Sequence, residues 1–169
     1  YAFANCPELT EIVLSENTVL GRFAFAYAGR NTVKDEDTGN DKVVYSDVTA
    51  ENLDKVAEIG DYAFAGSALT EVSVGDGTAV GEGAFYDSRI KKLTLGKNVT
   101  LGMGAFQNAR YLENVTLPQV ADGEKGGLVI GDACFANDVS LKGVLNFKNV
   151  TEVIPLQAFY NCKSLGGVV

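Results

Sequence analysis

Histidine is missing from all 169 residues. Its absence removes the commonest general base, the commonest metal ligand and every nucleophile that a histidine would activate. The three cysteines, Cys6, Cys134 and Cys162, show no C-x-x-C spacing, so neither a disulfide framework nor a zinc site follows from them. Carboxylates are numerous, yet no pair is marked by the apolar context that a glycosidase-like acid and base would need. The nearest approach to a metal motif is Asp35-x-Asp37-x-Gly39-x-Asp41, where oxygen ligands alternate around a glycine, loosely like a calcium loop. That pattern lacks the bidentate glutamate at its twelfth position and the glycine at its sixth. A solvated turn is therefore the expectation, with a weak calcium site at Asp35, Asp37 and Asp41 as the alternative. Asn98-Val99-Thr100, Asn114-Val115-Thr116 and Asn149-Val150-Thr151 match the glycosylation tripeptide, which arises readily by chance around polar strands. No catalytic residue and no cofactor is expected.

Charge narrows the partners. The balance of 14 Lys+Arg against 22 Asp+Glu leaves a net charge of -8, a field that repels phosphate backbones and anionic lipid surfaces. Nucleic acid is not an expected ligand. No run approaches the roughly 18 to 20 apolar residues that span a bilayer, so no membrane insertion is expected within the chain. At 46% hydrophobic and 21% charged, residues 1–169 are read as one globular domain. The chain opens on Tyr1-Ala2-Phe3 inside a repeat, and Gly166-Gly167-Val168-Val169 break off inside another, so an excerpt of a longer array is expected.

The repeat is what positions any surface residue. A phenylalanine preceded by a small residue recurs at Phe3, Phe25, Phe64, Phe85, Phe106, Phe135 and Phe159, at spacings of 22, 39, 21, 21, 29 and 24. Leu20-Gly21, Ile59-Gly60, Val80-Gly81, Leu101-Gly102 and Ile130-Gly131 stand five and four positions ahead of it, and Ile154-Pro155 is a sixth copy with proline for glycine. Downstream, Leu9-x-x-Ile12-x-Leu14, Leu69-x-x-Val72-x-Val74, Ile90-x-x-Leu93-x-Leu95 and Leu112-x-x-Val115-x-Leu117 share one spacing. Leu141, Leu145 and Phe147 keep it with one extra residue. The alternating segment predicts a short strand with its apolar side chains turned inward. One repeat alone buries too little to offset the entropy of ordering its backbone, so the copies must stack into a shared core with their strands side by side. The glycine ahead of each Ala-Phe is expected to permit a tight turn or a positive φ. Cys6 and Cys162 stand three positions after their Phe, where Ala28, Ser67, Ser88 and Ala109 stand elsewhere, so with Cys134 they read as packed thiols.

The combined pattern, Ile-Gly-x-x-Ala-Phe-x-x-Cys-x-x-Leu-x-x-Val-x-Leu, resembles the BspA-like leucine-rich repeats and covers nearly the whole chain. The resemblance implies a right-handed leucine-rich-repeat solenoid with one short parallel β-strand per repeat and irregular or helical-turn segments on the other face. It also implies a cell-surface or secreted protein that adheres to a host or microbial macromolecule, protein or glycan. One departure stands out: the second repeat has Glu51 where an apolar strand residue is expected.

Two stretches interrupt the register. Thr32-Val33-Lys34 and Lys42-Val43-Val44-Tyr45 flank a polar tip and predict a projecting β-hairpin, and Gln119 to Gly127 predicts a surface loop. The outward strand face is then the candidate ligand surface. Its columns are Glu11, Glu71, Lys92 and Asn114; then Val13, Ser73, Thr94, Thr116 and Asn146; then a third that ends at Lys148. These residues are small and polar, without the Trp, Tyr and Arg that dominate binding hot spots. The alternatives are therefore a binding module using this face or the hairpin, and a passive spacer in a longer surface protein.

Overall fold

The computed structural model describes residues 1–169. Apolar side chains at alternate positions make strands of Glu71–Val74 and Lys92–Leu95, with Val72, Val74, Leu93 and Leu95 buried and Glu71, Ser73, Lys92 and Thr94 exposed. The two pair in parallel, Glu71 beside Lys92 and Ser73 beside Thr94. Asn114–Thr116 extends the sheet on the other side, Asn114 beside Lys92 and Thr116 beside Thr94. Glu11–Val13 pairs in parallel with Thr49–Glu51, and Gly143–Leu145 with Leu165–Val168.

Each central repeat carries two strands where one was expected. The dipeptides Val19–Leu20, Glu58–Ile59, Ala79–Val80, Thr100–Leu101 and Val129–Ile130 form a second, five-stranded parallel sheet. Two residues are too short to display an alternation period, which is why the pattern did not mark them. Helical turns are nearly absent: the one helical element is the 3-10 turn Leu53–Lys55.

Between the two strands the chain turns around the phenylalanine. Residues two before and two after it take left-handed backbone, as at Phe23 (φ 55) and Tyr27 (φ 60) around Phe25, and Tyr62 (φ 54) and Gly66 (φ 64) around Phe64. The strain at Phe23 and Tyr62 is offset by a ladder between repeats. The amide of Phe25 donates to the Ala63 carbonyl at 2.7 Å, that of Phe64 to Ala84 at 2.7 Å, and that of Phe85 to Ala105 at 2.7 Å. The Phe25, Phe64, Phe85, Phe106 and Phe135 rings stack nearly parallel, with successive centroids 5.1 to 5.4 Å apart. The 39-residue interval between Phe25 and Phe64 leaves this spacing unchanged at 5.3 Å.

The glycines divide into two roles. Gly83 and Gly104, directly ahead of Ala-Phe, do take positive φ. The recurring glycine four positions ahead does not; it is required because backbones touch there. A Cβ on Gly60 would lie 2.5 Å from the Leu20 carbonyl oxygen, one on Gly81 2.8 Å from the Gly60 carbonyl carbon, and one on Gly102 2.7 Å from the same atom of Gly81. Gly102→Ala is therefore expected to cost about 1 to 3 kcal/mol by forcing backbone apart. Chemical denaturation checks this, with Gly123→Ala as control for a left-handed glycine that meets nothing within 4 Å.

Two irregular repeats are resolved by local chemistry. Val48 bridges Leu69, and Ala50 rather than Glu51 lies opposite buried Ile12, so the second repeat is one residue shorter here and Glu51 faces outward beside Val13. At the sixth copy the second sheet stops. The amides of Gly60, Gly81 and Gly102 donate to the carbonyls of Leu20, Ile59 and Val80 at 2.7 to 2.8 Å. Pro155 occupies the equivalent position and has no N–H to donate. Ile154 is 41% exposed where Ile59, Val80 and Leu101 are buried.

Candidate interaction surface

The strand face divides into separate patches. Glu71, Lys92 and Asn114 form one exposed column, and Ser73, Thr94 and Thr116 the next, on a single three-stranded sheet. Glu11 and Val13 lie on a different, two-stranded sheet beside Thr49 and Glu51. Thr49 and Glu51 belong to the face and were missed because the contracted repeat shifts their register by one. Asn146 does not continue the Thr116 column, nor Lys148 the third column, as expected. Gly143–Leu145 pairs with Leu165–Val168 instead, since the extra residue, with Gly143 at φ 85, breaks the register. Asn146 Oδ1 accepts from the Lys148 amide at 3.0 Å, a local turn.

Within the central patch the charges answer one another. Lys92 Nζ meets Glu71 Oε1 at 2.8 Å across the strands, and this hydrogen bond raises the ammonium pKa. Lys142 Nζ lies 2.6 Å from Glu113 Oε2, which holds that carboxyl below its usual value. What is left for a ligand is a small, uncharged field of Ser73, Thr94, Asn114 and Thr116.

Arg30–Lys34 and Asp41–Tyr45 pair antiparallel, with Arg30 opposite Tyr45 and Lys34 opposite Asp41. No side chain from Asn31 to Val44 is buried. The three candidate calcium ligands are not gathered around one point. Asp35 Oδ1 accepts from the Thr38 amide and hydroxyl at 3.0 and 2.9 Å, which lowers its pKa. Asp41 pairs with Lys34 Nζ at 2.7 Å, and Asp37 joins neither contact.

Two features went unmarked in the sequence. Asp138 stands three residues after Phe135, in the column of Ala28, Ser67, Ser88 and Ala109, and is fully buried with both carboxyl oxygens unpartnered. Desolvation pushes its pKa well above the carboxylate range, opposed in part by the backbone of Ala109. Its charge adds to the burial that raises the neighbouring thiols: Cys134 is shifted far up and Cys162 to about 11. The three cysteines are unbridged, and the Cys162 thiol donates to the Phe135 carbonyl at 3.0 Å. The second feature is a cleft of about 520 Å³ beside the last dipeptide strand, lined by Leu128, Val129, Ile130, Val150 and Val153 and flanked by Lys125 and Glu152. It lies where Pro155 ends the sheet.

Short parallel strands in register, a spine of stacked phenylalanines and exposed polar columns define a repeat protein with an open surface. The chain belongs to the BspA-type leucine-rich repeats: the family model, BspA type Leucine rich repeat region, matches six copies over residues 1–38 and 45–166. Membership points to a protein-interaction module. The unmatched residues 39–44 fall in the tip and second strand of the antiparallel pair. No curated protein and no solved structure matches the chain. No helix is long and apolar enough to cross a membrane.

Proposed function

We propose that the chain is a non-catalytic binding module of a cell-surface or secreted protein. It adheres to a host or microbial protein or glycan through its strand face or through a hairpin, residues 30–45, inserted into a right-handed solenoid. The observation that carries this reading is the central strand patch, where register aligns Ser73, Thr94 and Thr116 into an exposed column on a rigid sheet. A row of hydroxyls and amides that the fold does not consume suits hydrogen bonding to a macromolecule over a long surface. A passive spacer is the second reading, favoured by the mutual pairing of Glu71 with Lys92 and Glu113 with Lys142.

A screen of the purified domain against extracellular-matrix proteins and glycans is expected to give at least one saturable signal; none at high micromolar concentration favours the spacer. Replacing Val33 to Val44 by a short Gly-Ser turn then locates the contact. The cooperative melt should survive, because loops change length at small entropic cost. Loss of binding in that variant assigns recognition to the hairpin, and retention returns it to surfaces the replacement leaves in place, among them the strand face around Lys92, Thr94 and Thr116.

A further inference from the structure

We propose that Tyr27, Arg30, Tyr45, Arg89 and Tyr111 form a recognition stripe for an extended acidic segment of a protein partner. The inference rests on the binding-module reading and names the chemistry of its ligand. The Arg89 guanidinium carbon lies 4.2 Å from the Tyr45 ring centroid and 4.4 Å from that of Tyr111, a sandwich joining the antiparallel pair to two later repeats. Arg30, directly opposite Tyr45 across that pair, lies 5.3 Å from the Tyr27 ring. Both Arg30 and Tyr27 lean over Gly66 of the next repeat, where a Cβ would come within 2.4 Å of the Tyr27 ring. Aromatic and guanidinium groups thus follow one another along one surface, brought together from five places in the chain.

Three observations point to the partner. The first is charge: the chain carries -8 overall, yet its four arginines, Arg22, Arg30, Arg89 and Arg110, take no part in any of the seven ion pairs. Every side-chain hydrogen bond donated by a cationic side chain comes from a lysine. A guanidinium stacked on an aromatic face keeps its in-plane N–H fork free and already oriented, the geometry that binds a carboxylate bidentately. The second is composition: exposed Tyr and Arg dominate binding hot spots, and Tyr27, Tyr45 and Tyr111 remain 38%, 38% and 48% exposed. The third is backbone: Arg30–Lys34 and Asp41–Tyr45 form a sheet of two strands, so each has an outer edge with unpaired N–H and C=O groups. An extended peptide can add to such an edge, which a glycan cannot do.

The test uses a synthetic peptide alternating glutamate with threonine, the same peptide with glutamine for glutamate, and a heparin oligosaccharide, each titrated into the intact chain. The Arg Nε–H and Tyr ring signals are followed by NMR. The glutamate peptide should bind saturably and lose affinity as salt rises, while the glutamine peptide should not bind. Arg89→Ala and Arg89→Lys should each weaken it at least about tenfold; the lysine variant keeps the charge but not the fork, and an unchanged melt shows that the fold survives. Absence of saturable binding, equal affinity in Arg89→Lys, or heparin binding with the peptide silent would each overturn the proposal. If Arg89→Ala still binds a protein found in the matrix screen, only this stripe is refuted and the binding-module reading stands.

Discussion

Phe106→Ala lowers the unfolding free energy by about 3 to 5 kcal/mol, the cost of deleting a fully buried aromatic from a core that cannot collapse around the gap. The Phe106 ring is stacked 5.1 Å from Phe85 and 5.4 Å from Phe135 and is completely shielded from solvent. Its two neighbours are held in place by the amide ladder around the turn, where the Phe106 N–H donates to the Cys134 carbonyl at 2.9 Å, so they cannot move in to fill the space. For a domain of this size the loss corresponds to a fall of roughly 6 to 20 °C in Tm. Phe3, 50% exposed at the end of the same stack, supplies the contrast: Phe3→Ala should cost under about 1 kcal/mol. Equal costs for the two variants, by thermal or urea unfolding, would mean that the stack is not the structural spine.

Asp138→Ala has the opposite sign and raises stability by about 1 to 3 kcal/mol at pH 7. Alanine already fills the equivalent position at Ala28 and Ala109, so the replacement fits the column. What it removes is a buried carboxyl with neither oxygen in hydrogen-bonding geometry, close to the Ala109 backbone and to the thiols of Cys134 and Cys162, both shifted toward the neutral form. The pH dependence follows from the raised folded-state pKa. Below the unfolded value, about 3.9, Asp138 is neutral in both states and costs no ionisation energy. As pH rises toward the folded value the unfolded chain releases its proton first, and stability falls. The gain in Tm of Asp138→Ala over the parent should therefore be small near pH 4 and grow toward neutrality. Glu113, Glu152 and Asp35, with lowered values, act in the opposite direction in both proteins and cancel from the difference. A constant difference from pH 4 to 7 would show that the carboxyl is solvated.

Counting residues was enough for much of this protein. The interval of 21 between Phe64, Phe85 and Phe106, and the Leu-x-x-Val-x-Leu spacing beyond each, made the repeat family and the ladder strands legible, because a repeat whose core is shared must place the same side-chain size at the same step each time. Asp138 is legible too, a carboxylate three residues after Phe135 in a column of small side chains. Other features depended on distance rather than order. The dipeptide strands hold their place only by pairing with neighbours about 21 residues away, so nothing within two residues could announce them. The glycine at Gly81 or Gly102 reads in sequence as a flexible turn, and only the stacked backbones show that it is an excluded Cβ. The extra residue between Leu141 and Leu145 was visible, but that it detaches Asn146 from the Thr116 column is a matter of which strand captures Gly143–Leu145. Arg89 and Tyr111 stand one residue ahead of Ile90 and Leu112, the same step of consecutive repeats, whereas Tyr45 stands at no such step. The Tyr45 ring on the other side of the Arg89 guanidinium is a long-range contact set by tertiary packing and not by local pattern.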